Sequence, residues 1–221
     1  MKIPFLIKAF IICLVVISMF AACVYKDEEK EVNQPEPPAE QKERADVAVI
    51  SPYQLKDREL HLLRGAGVDT NDFLAFVVDW NGQEPKPLKA RIDVYENGQF
   101  KQAIFEDAVL TTDDPDQEHL LTFAKHDNSN SARETEWIVS YQPGSSFTSN
   151  YNTSREMTGW SLQKVERDYE IQSGKKYVLG ALLGGRSGNV QSDFSLTEEG
   201  ELSPETLKND FVYVFSVEVT E

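Results

Sequence analysis

Asp113-Asp114-Pro115-Asp116-Gln117-Glu118 packs four carboxylates into one short stretch, and hard cations such as calcium take their ligands from oxygen clusters of this kind. Its order is not the Asp-x-Asp-x-Asp-Gly series of a helix-loop-helix calcium site. On an acidic chain such a loop is expected to be solvated, with Asp113, Asp114, Asp116 and Glu118 as the calcium candidates. The three histidines are His61, His119 and His126. His119, beside Glu118 and on the same stretch as His126, offers nitrogen ligands for zinc, but no His-Glu-x-x-His spacing accompanies it. Exposed or hydrogen-bonded surface histidines are the expectation.

Nucleophilic and phosphate chemistry have less to work with. Gly-x-Ser-x-Gly is missing, and Gly185-Arg186-Ser187-Gly188 supplies only half of that elbow. Gly180, Gly184, Gly185 and Gly188 are not followed by the Gly-Lys-Ser/Thr of a phosphate loop. A turn at the end of a sheet accounts for them, with their amides and Arg186 as an anion-holding alternative. The aromatic series Trp137, Tyr141, Phe147, Tyr151 and Trp160 could present a stacking face to a sugar; Trp137 and Tyr141 share one side of a strand, which core packing also explains. Paired glycosidase carboxylates cannot be picked out of a chain with acids throughout.

These residues need elements to hold them. Ala45 to Ile50 reads as a strand closed by Ser51-Pro52, and Leu55 to Arg64 as a short helix ended by Gly65, with a strand through Leu60 and Leu62 as its competitor. Phe73 to Trp80 is apolar on both parities, as in a central strand, and Asn81-Gly82 follows as a turn. Arg91 to Ile104 reads as a hairpin about Asn97-Gly98, pairing Tyr95 with Phe100 and Ile92 with Ala103. Leu120 to Ala124, Glu136 to Tyr141, Trp160 to Val165, Lys176 to Leu183 and Phe211 to Val219 are further strands; in the last, Phe211, Tyr213, Phe215, Val217 and Val219 share a face. Short strands without a strand-helix rhythm predict one mostly β domain over residues 45–221: an antiparallel β-sandwich or jelly roll with a short helix near residues 55–64, or alternatively a Greek-key barrel.

Formal net charge is -15, which repels phosphate backbones and argues against nucleic acid as a partner. The two cysteines are Cys13 and Cys23, so the domain can form neither a disulfide framework nor a cysteine metal site.

Two lysines at positions 2 and 8, an apolar run over residues 9–22 and small residues before Cys23 follow the order of a secretory signal, and the run is shorter than the roughly 20 residues of a spanning helix. Phe20-Ala21-Ala22-Cys23 resembles the lipobox of bacterial lipoproteins, with Phe20 in the place usually held by Leu. The resemblance implies cleavage after residue 22, a diacylglycerol on the Cys23 thiol, and fatty acyl groups such as palmitate holding the chain on the extracytoplasmic face of the cell membrane. Two or more acyl chains give a lasting anchor at about 0.8 kcal/mol per buried methylene. Residues 24–44 are charged and proline-bearing, a tether spanning about 25 Å as a coil.

Ser51-Pro-Tyr-Gln-Leu-Lys-Asp-Arg-Glu-Leu-His-Leu-Leu, Phe76-Val-Val-Asp-Trp80 and Val94-Tyr-Glu-Asn-Gly98 resemble small lipoproteins of Bacillus-like bacteria, a group that implies no activity and carries over no site residues. The expected function is a noncatalytic binding or interaction module at the cell envelope, partnered by a wall component or an envelope protein and needing no cofactor beyond its lipid. A surface hydrolase of wall glycan or peptide and a calcium-stiffened spacer are the alternatives.

Overall fold

The computed structural model describes residues 47–65, 68, 70–109, 119–127, 134–142, 145–152, 158–186, 188–190 and 193–220. Strand β1 (Val49–Pro52) leads through helix α1 (Asp57–Gly65) and a 3-10 turn (Thr70–Asp72) to β2 (Phe73–Asp79). A hairpin of β3 (Leu88–Glu96) and β4 (Gln99–Val109) precedes a meander of β5 (His119–Asp127), β6 (Glu134–Gln142) and β7 (Ser145–Asn152). The chain ends with β8 (Gly159–Lys164), β9 (Tyr169–Glu170), β10 (Lys176–Gly185), a 3-10 turn (Thr206–Lys208) and β11 (Phe211–Val219). Strand pairing is antiparallel throughout, in two sheets: sheet A runs β7-β6-β5-β2-β1-β9 and sheet B runs β4-β3-β11-β10-β8. The antiparallel sandwich with one short helix is thus the fold, and neither sheet closes into a barrel.

Alternation builds the core. On β11 the side chains of Phe211, Tyr213, Phe215, Val217 and Val219 all point inward and are buried. They meet sheet A through Trp137, whose ring centre lies 4.9 Å from Phe215 and 5.2 Å from Tyr213, and through Phe123, 5.2 Å from Phe215. Burying one such ring stabilises the fold by about 1.5–3 kcal/mol. The other parity of β11, Val212 and Val214, is also buried, because β11 is a central strand whose outer face is covered.

At the hairpin, Asn97 (φ 50°) and Gly98 (φ 75°) both take the left-handed conformation that a two-residue turn demands. Tyr95 pairs with Phe100 as the turn dictates, but Ile92 pairs with Phe105 rather than Ala103. Two bulges lengthen β4, an edge strand, and each shifts the register by one residue.

Strand β1 also departs from expectation, since Ser51-Pro52 belongs to the strand instead of closing it. The Tyr53 N–H donates to Ala75 O at 2.8 Å, so by alternation the nitrogen of Pro52 faces away from β2. There β9 reaches only Val49 and Ile50, and no ladder bond is lost. Helix α1 replaces the competing strand at Leu60–Leu62. Its first turn is held by the Glu59 carboxylate, which accepts the Lys56 N–H at 2.8 Å and the Tyr53 hydroxyl at 2.9 Å. The helix buries none of its residues, and a cavity of about 250 Å³ separates Leu60 from Phe73 and Ala75 on the outer face of sheet A.

The described chain begins and ends beside one loop. Asn81 Nδ2 donates to Val47 O at 2.5 Å, and the Thr220 N–H donates to Pro87 O at 3.0 Å, both within the connection between β2 and β3. The opposite end, a strand length of about 30 Å away, carries the Asn97-Gly98 turn, Arg186 and the Thr70–Asp72 turn.

Candidate functional site

The site is built on the outward parity of β3. Leu88, Ala90, Ile92 and Val94 enter the core, so Lys89, Arg91, Asp93 and Tyr95 must line the outer face of sheet B. Asp93 is nonetheless buried, its side chain 3% exposed. Arg91 Nε donates to its Oδ1 at 2.6 Å and Lys176 Nζ to its Oδ2 at 3.1 Å. Arg91 and Lys89 both pair with Glu106. Burial alone would lower the Arg91 guanidinium pKa; the hydrogen bond and charge of Asp93, with Glu106, outweigh it and raise it. The Glu106 carboxyl is lowered, chiefly by its bond to Lys89.

The roof comes from residues between β10 and β11, which fold back over sheet B. Val190, Phe194, Leu196 and Leu202 cover Val178, Ala181, Leu183, Val212 and Val214. Thr206 pins this segment from inside: fully buried, its Oγ1 accepts the Ser195 N–H at 2.9 Å and donates towards Asp193 O at 3.2 Å. A small hairpin, bridged at Leu196 and Leu202, turns at Gly200 (φ 85°) and holds Glu199 and Glu201 at its tip.

Between that tip and β10 lies a cleft of about 680 Å³, within the size range of small-ligand sites. Val178 and Val214 form its floor, Lys175 and Lys176 one wall, Glu199 and Glu201 the other, and Tyr95 stands at one side. Burial first, and then the charges of Asp93 and Glu201, raise the Tyr95 pKa. The ring of Tyr95 packs edge-on at 5.6 Å against Phe100, which is 50% exposed. The arrangement provides charges of both signs, a hydroxyl and apolar surface, which suits binding.

The residues singled out by sequence are dispersed. Trp137 and Tyr141 are fully buried between the sheets, so neither presents a ring face to a ligand. Phe147, Tyr151 and Trp160 are partly buried against the same core; Tyr151 bonds Glu96 at 3.3 Å, and Trp160 stacks on Tyr213 at 6.0 Å. Arg186 is engaged internally: its guanidinium donates to Asn97 Oδ1 at 2.7 Å and its backbone N–H to Asp210 at 3.0 Å. The glycines near it serve packing, since a Cβ at Gly184 would lie 2.6 Å from the Trp160 ring and one at Gly180 2.6 Å from Gln163 O.

The histidines do not converge. His61 is exposed on α1, while His119 and His126 lie near opposite ends of β5, about 23 Å apart. His119 is no surface residue: it is fully buried and its Nδ1 shares a 2.9 Å hydrogen bond with the Tyr141 hydroxyl. Among the described residues no group of three or more His, Cys, Asp or Glu could hold a metal ion, and no helix is long and apolar enough to cross a membrane. Cys23, Asp113, Asp114, Asp116 and Glu118 lie outside the described residues.

The cleft itself was not anticipated. Arg91-x-Asp93-x-Tyr95 carries the signal, a polar stripe on one parity of a strong strand; Glu199 and Glu201 carry no comparable pattern. No curated protein and no solved structure matches the chain. A family match covers the whole sandwich from β1 to β11, residues 49–219, and by it the chain belongs to the YgaN domain family.

Proposed function

We propose that this protein is a lipid-anchored extracytoplasmic binding module, held at the cell membrane through acylated Cys23 and engaging its partner, a wall component or another envelope protein, without catalysis. The observation that carries this role is where the sandwich takes up its preceding chain. Val47 lies beside Asn81 at one end, so a tether arriving there leaves the opposite end, with the Asn97-Gly98 turn and Arg186, uncovered. The tether of residues 24–44 adds about 25 Å of reach, enough to hold the domain clear of the headgroups. Within the cleft, Asp93 is neutralised by two cations, and the Tyr95 hydroxyl stands at one side.

The test compares the full chain carrying its own leader with Cys23→Ser in a bacterial host fed labelled palmitate. The wild type is expected to enter the detergent phase with label on its N-terminal cysteine, and the variant to lose both. A wild type that stays unlabelled and aqueous would remove the anchor from the proposal. Release of soluble fragments from wall glycan or peptide by the purified protein would remove its noncatalytic half.

A further inference from the structure

We infer that the cavity between α1 and sheet A binds a small monocarboxylate, its short apolar body beneath Leu60 and its carboxylate at Lys164. This goes beyond the envelope role and stands whether or not Cys23 is acylated. Three observations carry it. The cavity, of about 250 Å³, is walled by Leu55 and Leu60 on one side and by Phe73 and Ala75 on the other, and because α1 buries none of its residues the chain itself does not fill this apolar space. Lys164 closes the lining from the other sheet. Trp160 and Leu162, on the same parity of β8, pack into the core, so the Lys164 side chain is directed off sheet B towards sheet A. Among the described residues its ammonium has neither an ion pair nor a hydrogen bond, and the amide of Gln54, on the same lining, is equally unengaged. A carboxylate at this place would meet one free cation and one free N–H donor.

The lining limits the ligand. No acidic residue belongs to it; Glu59, which holds Tyr53, is turned onto the Tyr53 hydroxyl and the Lys56 N–H. A cation would be repelled by Lys164, and a neutral apolar molecule would leave the ammonium without a counter-charge. A sugar would spend its hydroxyls against Leu55, Leu60, Phe73 and Ala75. The volume falls below the roughly 300 Å³ at which sites for drug-sized ligands begin, so the apolar body is short.

The experiment is a ligand-observed NMR titration of the full chain in detergent, with protein-free detergent as the blank, using pentanoate, pentanamide and pentylamine up to about 20 mM. Pentanoate is expected to saturate, pentanamide to bind about two- to fivefold more weakly, the range of an exposed ion pair, and pentylamine more weakly still. Lys164→Gln should bring pentanoate down to the level of pentanamide while leaving pentanamide unchanged. Lys56→Gln, which removes an exposed lysine outside the lining, should alter neither. Leu60→Phe, which fills the cavity from a helix face that is not buried, should lose both ligands. Lys164 and Leu60 lie outside the buried core, so these variants test binding without threatening the fold. Absence of saturation by pentanoate, pentanamide binding as well as pentanoate, an equal loss in Lys56→Gln, or unchanged binding in Lys164→Gln or Leu60→Phe would each overturn the inference.

Discussion

The Lys125 ammonium, on a side chain only 5% exposed, sits 2.9 Å from Asp72 Oδ2. It also lies 5.4 Å from the centre of the Trp160 ring. Lys125 follows Leu121 and Phe123 on the inward parity of β5, so the strand drives a charge into the mouth of the sandwich and the turn before β2 supplies its partner. Replacing Asp72 takes a counter-charge away from a cation in a poorly solvated place. Asp72→Asn should therefore cost about 3–5 kcal/mol in urea unfolding, while Lys125→Met with Asp72→Asn should recover most of that loss. A double variant no better than the single would show that the pair does not account for the cost.

Gly184 makes room for the Trp160 indole. The Cβ of Gly184→Ala would meet a ring already packed against Phe211 and Tyr213, so neither neighbour yields easily. A loss of about 1–3 kcal/mol is expected, and the same substitution should cost less in a chain that also carries Trp160→Leu. Calorimetric Tm values for the wild type, the two single variants and the double variant decide it.

Three tyrosines, Tyr141 and Tyr213 buried and Tyr151 half-buried, make the protein sensitive to alkali. Burial raises Tyr151 to about 12, with the Glu96 charge adding to it, and burial raises Tyr141 and Tyr213 as well. An unfolded tyrosine loses its proton near pH 10, so above that pH the folded state holds protons the unfolded state has released. Their contribution is fully present below about pH 10 and is lost as pH rises towards 12, further still for Tyr141 and Tyr213. Denaturant midpoints should be level up to pH 9 and fall from about pH 10. Tyr141→Phe should flatten part of that fall while losing about 1 kcal/mol at neutral pH with its bond to His119.

Thr206→Val keeps the shape of the pin that holds the roof of the cleft and removes its oxygen. The Ser195 N–H then loses its acceptor, at about 1–3 kcal/mol. Because the loss falls on the segment between β10 and β11, hydrogen exchange should quicken at Ser195 and Leu202 before it does in β11. Uniform acceleration across both sheets would mean the segment does not open separately.

The strands were legible because alternation is a local property: Phe211 to Val219 needs no other part of the chain to declare its two faces, and Asn97-Gly98 announces its own turn. Beyond the turn the register of β4 was not legible, since its bulges answer to the sheet edge rather than to nearby residues. Strand β7, Ser145 to Asn152, escaped notice because its polar sequence becomes a strand only by pairing with β6. The roof over sheet B escaped for a similar reason: Val190, Phe194, Leu196 and Leu202 are scattered without a period and find their places only against Val178 and Val214. Lys125 was legible in principle, as a charge on the parity of Leu121 and Phe123, had the strand been extended past Ala124.

The place where the chain joins sheet A also decides how the domain would bear a load. Strand β1 lies between β2 and β9, not at an edge, and Val47, two residues before it, is held by Asn81. A pull on the preceding segment while a partner holds the far end would load the β1 ladder lengthwise. Its bonds to β2 would then stretch together instead of parting one after another, so the short first strand acts as a shear-loaded fastening between the sandwich and whatever restrains the chain before it.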